Sequence, residues 1–229
     1  MFLKRLYSKP GGLFKEVEFK DGINFIFGKK SANPKESLNG IGKSLLLDLI
    51  DFCLGASFNQ NHSPRLFKAL TRVPACRIVL EFEMEGKEYL ISRSSEDANE
   101  NVEFGEKDDT RFYKLAALKP VLCDLIFRNP DYSGVYSNKW LRKLIPFFIK
   151  IERVKKQPYI DPIRYINELT PLELNLYHLF FMGINNHLAY ENYKARTDLK
   201  AKVPTINEIG NIIKETYGFR DLSEATSTS

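Results

Sequence analysis

The chain has 229 residues, 43% of them hydrophobic and 28% charged, the balance of an ordinary globular protein with enough apolar material for a sizeable core. This excludes a disordered or fibrous chain. The net charge of +5 permits contact with nucleic acid without demonstrating it.

From the amino end, residues 2–8 alternate loosely before the turn at Lys9-Pro10-Gly11-Gly12. Residues 13–19 alternate again, and Asp21-Gly22 makes a second turn. The apolar run Ile23-Asn24-Phe25-Ile26-Phe27 then ends at Gly28. The pattern predicts three short strands, the third buried. Residues 28–38 are polar and basic and read as a loop. The glycine-rich Asn39-Gly40-Ile41-Gly42-Lys43-Ser44 follows, and a dense apolar stretch from Leu45 to Leu54 reads as a helix stopped by Gly55.

A short helical turn is expected over 63–70. Two strands, Cys76–Glu83 and Glu88–Arg93, are joined by a turn at Gly86-Lys87. Residues 94–111 read as an exposed loop or a weak hairpin around Val102–Phe104. Lys114–Phe127 has helical periodicity with Pro120 inside it, and Trp140–Ile151 reads as helical or extended. Thr170-Pro171-Leu172-Glu173 carries the signature of a capping box ahead of a helix that runs through Phe181 and past Gly183. A short amphipathic helix is expected over 205–217, and a disordered tail over 223–229. The division this suggests is an amino-terminal lobe over 1–112 and a helical region over 113–222.

Cys53, Cys76 and Cys123 show no metal-ligand spacing and sit in apolar runs, which suggests buried, reduced thiols in a cytoplasmic protein. His62, His178 and His187 form no ligand pattern. No signal peptide opens the chain and no apolar run is long enough to span a bilayer, so no membrane is expected as a partner.

The residues that carry chemistry are 39–44. Phosphates must approach the backbone closely, and Gly40 and Gly42 leave that space open. Successive backbone N–H groups, those of Asn39, Ile41 and Leu45 among them, then bind oxygens with the help of the helix dipole. Lys43 brings a point charge to the β- and γ-phosphates, and Ser44 supplies a hydroxyl to Mg²⁺. The expected cofactors are ATP and Mg²⁺. The usual spacing, G-x-x-x-x-G-K-[ST], puts its first glycine at position 37, where this chain has Ser37. Gly28 is the candidate to make that turn ahead of an insertion over 29–38.

Asn39–Ser44 followed by Leu47-Asp48-Leu49-Ile50-Asp51-Phe52-Cys53-Leu54-Gly55 resembles the phosphate-binding turn and first helix of the ATPase heads of the SMC, RecF and RecN families. The nearest likeness is to bacterial SMC-like ATPases that accompany ABC-three-component defence systems, and it covers about residues 1–95. The resemblance implies an α/β P-loop lobe with a mixed sheet, followed by helices leading toward a coiled coil. It implies ATP hydrolysis between paired heads, in DNA maintenance or antiphage defence. The signature motif and the Asp-Glu strand of a complete head are absent from the sequence, so it also implies a C-terminal lobe or a second head as partner, and a homo-oligomer when complete. Gln157 takes the place of the glutamine that reaches Mg²⁺ and the attacking water, with Gln60 as the other glutamine in the chain. Arg65 stands where these heads often carry a basic residue near DNA or nucleotide.

Lys139, Arg142, Lys143, Lys150, Arg153, Lys155 and Lys156 face a single acid, Glu152, with Trp140, Phe147 and Phe148 interleaved. Such a stretch either tracks a nucleic-acid backbone or is a solvated face whose aromatics join the core beside Ile145 and Ile151. Two further readings stay open. A P-loop phosphotransferase would use Arg128, Arg142 and Arg153 as lid arginines. A non-catalytic interaction module would keep the glycine-rich turn as scaffold.

Overall fold

The computed structural model describes residues 1–26, 43–150 and 169–217. Six strands form one sheet in the order β2-β1-β3-β4-β5-β6. They are β1 (Phe2–Lys9), β2 (Val17–Glu18), β3 (Arg77–Met84), β4 (Lys87–Ser94), β5 (Val102–Glu106) and β6 (Asp109–Tyr113). Every pairing is antiparallel. This corrects the expected mixed sheet and, with it, the expected α/β P-loop class. A parallel pair needs a crossover connection, whereas β3 to β6 follow one another through hairpins. The first hairpin turns at Glu85 and Gly86, both with positive φ, the backbone twist that suits a two-residue turn. The hairpin anticipated around Val102–Phe104 is real and carries the sheet out to β6.

The expected third strand is also corrected. Ile23–Ile26 forms no strand, and Ile23 and Phe25 are 83% and 73% exposed. The Asn24 side chain provides the physical reason. It accepts from the Lys20 N–H at 2.8 Å and donates to the carbonyls of Lys20 (2.7 Å) and Gly22 (3.2 Å), holding the segment in a turn. Of the second expected strand, residues 13–19, only Val17–Glu18 pairs with β1.

Helix α1 (Lys43–Cys53) packs on β3 and β4, with α2 (Pro64–Leu70) beside it. Leu49, Phe52 and Cys53 of α1 are buried, as are Ile78, Leu80 and Ile91 of the sheet. Helix α3 (Leu115–Phe127) keeps Pro120 inside it, and Leu118 and Leu122 are fully enclosed. A 3₁₀ turn at Asn138–Trp140 leads into α4 (Leu141–Leu144) and a second 3₁₀ turn at Ile145–Phe147. Ile145 is buried, but Phe148 is 63% exposed, so the expected placing of both phenylalanines in the core does not hold for Phe148.

The described residues fall into two compact units. The first comprises the sheet and α1 to α4; the second comprises residues 131–135 and 169–217. In the second unit α5 (Pro171–Phe181) opens with the expected capping box: Thr170 Oγ1 accepts from the Glu173 N–H, and Glu173 accepts from the Thr170 N–H. It does not continue past Gly183. The Gly183 N–H bonds the Phe180 carbonyl and the Ile184 N–H bonds that of Leu179, the hydrogen-bond pair that terminates a helix. The expected short helix at 205–217 is the end of the 31-residue α6 (His187–Tyr217), with Pro204 inside it. Leu199, Val203, Ile206, Ile209 and Ile212 stay exposed along it. No described helix is long and apolar enough to cross a membrane.

Candidate phosphate-binding site

Helix α1 is described from Lys43, the fifth residue of the glycine-rich sequence. Its first turn carries no acidic side chain. The first N–H groups of a helix lack partners within it and its amino end is positive, so this turn suits a phosphate and would repel nothing from it. Ser44 and Leu45 are half-buried, while Leu46, Leu49 and Ile50 are buried. That apolar face seats α1 against the sheet and fixes where its amino end lies. The expected ligand residues Asn39, Gly40, Ile41 and Gly42 lie outside the described residues, as do Arg153, Lys155, Lys156 and Gln157.

One turn beyond Ser44, at the i+4 position and hence on the same side of the helix, stands Asp48. Its Oδ2 accepts from Arg65 Nε at 2.6 Å. Arg65 thus belongs to the amino half of α1, held by a charge-assisted bond. Of the expected basic patch, Lys139 and Lys143 are exposed. Arg142 is not part of that surface. It donates to both oxygens of Asp51, at 2.7 and 3.1 Å, and to the Leu54 carbonyl at 3.3 Å. That commitment also leaves the phosphotransferase reading without one of its lid arginines. Arg128 is exposed at the end of α3.

The carboxyl end of α1 is closed by a Schellman arrangement. The Gly55 N–H bonds the Phe52 carbonyl at 3.1 Å and the Ala56 N–H bonds the Asp51 carbonyl at 3.0 Å. Gly55 has φ +88°, a conformation that costs a side-chain-bearing residue energy. Arg93, fully buried on β4 opposite Ile78, finishes the closure. Its Nη1 donates to the carbonyls of Phe52 and Ala56, its Nε donates to that of Ala98, and its guanidinium lies 4.1 Å from the centre of the Phe52 ring. Burial lowers the Arg93 pKa to about 10, and the charge of neighbouring Arg142 lowers it as well. Burial likewise pushes the Cys53 thiol up to about 12, so it is neutral and inert at physiological pH.

Sequence reasoning missed Asp51 and Arg93. The signal for Arg93 is its phase: it shares the alternation of Ile91, which faces the core. The signal for Asp51 is a lone carboxylate among apolar neighbours on α1. Its partner, 91 residues away, leaves no trace in local spacing. Among the described residues no group of three or more His, Cys, Asp or Glu side chains could hold a metal ion.

No family model matches the chain. It is similar to a protein of Bacillus subtilis (strain 168) named "Uncharacterized protein YydD", 30% identical over 96 residues. The match takes in 41% of this chain and 16% of that protein, so the likeness spans a small part of a longer relative.

Proposed function

We propose that this chain binds the phosphates of ATP, with Mg²⁺, at the turn Asn39–Ser44 and the amino end of α1. In this reading it is the ATP-binding part of a cytoplasmic SMC-like machine for DNA maintenance or antiphage defence. The observation that carries the reading is the place of α1 in the sequence. From Lys43, which follows Gly40-Ile41-Gly42 in the sequence, the described chain is helical, with no acidic residue in the first turn and an apolar face anchored to the sheet. The reading rests on this turn and helix alone, and the antiparallel sheet adds nothing to it.

The residues of the turn have separable roles. The backbone N–H groups from Asn39 to Leu45 bind phosphate oxygens, Lys43 neutralises the terminal phosphates, and Ser44 is the hydroxyl available to a cation. Bound Mg²⁺ neutralises phosphate charge. Asp48 and Arg65 stay bonded to each other and set the charge of the helix one turn further on. Turnover requires a second lobe. The exposed Ile23, Phe25 and Ile26, and the apolar row of α6, are surfaces for such partners, a C-terminal lobe or a second head. The same surfaces favour a second reading, a non-catalytic interaction module in which nucleotide binds without turnover. Lys139 and Lys143 remain as contacts for DNA.

The test is thermal unfolding with millimolar Mg-ATP, for the parent chain and Lys43→Ala. Ligand that binds only the folded state at a hundredfold excess over its dissociation constant adds about 2.7 kcal/mol. The expected result is a rise in melting temperature in the parent that Lys43→Ala loses. An equal rise in both, or none in either, overturns the assignment.

A further inference from the structure

The geometry points to β6 as a self-association edge. It pairs antiparallel with β6 of a second copy of this chain, about a twofold axis at Thr110, and joins the two sheets into one. The alternation of hydrogen bonds decides which groups of β6 are free. The Lys107 N–H donates to the Glu88 carbonyl, so the odd-numbered residues of β5 bond β4 and the even-numbered ones bond β6. Opposite Phe104 and Glu106 stand Arg111 and Asp109, which therefore bond inward. The backbone N–H and C=O groups of Thr110 and Phe112 point out of the sheet, and among the described residues no hydrogen bond reaches them. Such a row is a template for another strand. The two edges of the sheet differ in this respect. β2 is two residues long, which blunts its edge. β6 runs for five residues without a proline, pairs with β5 without a bulge, and carries Phe112 at 65% exposure.

Charge complementarity identifies the strand that fits. Asp109 and Arg111 lie on one face of β6 and meet only at 3.7 Å, with side chains 77% and 73% exposed. In an antiparallel pair centred on Thr110, residues equally far from Thr110 in sequence face each other. Asp109 then faces Arg111 of the other copy, and Arg111 faces Asp109 of the other copy, with Cα atoms about 4.5 Å apart. One loose pair within each strand becomes two cross-strand ion pairs. Thr110 faces its own copy and exchanges both backbone hydrogen bonds with it, and Phe112 reaches that threonine diagonally. The contact is isologous, the same patch on both copies, and closes as a dimer. Centring the pair on Arg111 instead would set like charges opposite each other, which is unfavourable. A strand of five residues buries little area, so the dimer belongs to the weak, concentration-dependent class. The inference rests on the sheet edge and does not depend on nucleotide binding.

Sedimentation equilibrium of the full chain without nucleotide, from micromolar to millimolar concentration, tests this. A reversible monomer–dimer equilibrium is expected. Arg111→Asp and Asp109→Arg each set like charges across the twofold axis and should each weaken the dimer by about tenfold or more. An equimolar mixture of these two variants should recover it, because their charges complement each other. Thr110→Pro removes an outward N–H that β5 does not use and should abolish pairing. Hydrogen exchange read by NMR on the parent chain is a second readout that needs no variant. The Thr110 and Phe112 amides should slow as concentration rises, while that of Arg111, already bonded to β5, should not change. A parent that stays monomeric at every concentration overturns the inference. So does a dimer that the charge reversals or Thr110→Pro leave intact, a mixture that stays monomeric, or Thr110 and Phe112 amides that do not slow. Nucleotide is absent throughout, so failure of the nucleotide assignment leaves each of these results unchanged.

Discussion

The two ends of α1 are built on opposite plans. At the carboxyl end, each carbonyl from Asp51 to Ala56, apart from those of Cys53 and Gly55, receives a donor: a backbone N–H, Arg93 or Arg142. The charged side chains there are absorbed by the fold. At the amino end, the first turn carries the basic Lys43 and no acidic residue, and the next charges, Asp48 and Arg65, are spent on each other one turn away. Charged residues near a helix end therefore mean different things. Arg142 is one of the anchors of the structure, although its sequence neighbours present it as part of a basic surface.

Substitutions at the carboxyl end should cost stability and leave nucleotide binding intact. Arg93→Met strips partners from three buried carbonyls and should cost about 4 kcal/mol. It would appear as a lower urea midpoint with an unchanged slope. Asp51→Asn leaves Arg142 beside two other cations without its bidentate partner. About 2 kcal/mol is expected, less than for a fully enclosed pair because the Arg142 side chain is a quarter exposed. A double-mutant cycle with Arg142→Met should show the two sites to be coupled. Gly55→Ala places a methyl at φ +88° and should cost about 1 kcal/mol in the same assay. Equal losses of stability and of nucleotide binding from any of these would break the distinction between the two ends.

A milder effect belongs to the face of the sheet turned away from α1. Burial would raise the Glu81 carboxyl, but hydrogen bonds from Arg5 (3.1 Å) and Tyr7 (3.0 Å) outweigh it and hold the carboxyl below its ordinary range. Its contribution is present above the carboxylate range of the unfolded chain and is lost as pH falls through the lower folded value. Glu81→Gln should therefore cost under about 1 kcal/mol at neutral pH and flatten the acid limb of the stability profile. An acid limb as steep as the parent's would contradict this role.

What could be read from the sequence was local. The helix stop at Gly55, the capping box at Thr170 and Glu173, the hairpin at Gly86 and the extent of α3 all follow from short-range backbone chemistry, and the structure has them. Sheet topology was not legible. Antiparallel and parallel pairing place the same apolar residues inside, and the resemblance of residues 1–95 to a mixed-sheet family pointed the wrong way. Ile23–Phe27 carries the composition of a buried strand, but Asn24 in its midst bonds its own backbone neighbours. The glycine-rich sequence is read from contiguous residues, of which 39–42 lie outside the described residues. The Asp51–Arg142 pair was not legible, because only the fold brings it together.

Hydrogen exchange with and without Mg-ATP, read by mass spectrometry over α1, tests the central claim most directly. The account predicts slowed exchange in peptides covering residues 39–48 and unchanged exchange over 51–56, with Lys43→Ala abolishing the difference. Slowing at both ends alike, or no slowing over 39–48 with Mg-ATP at saturating concentration, would contradict it.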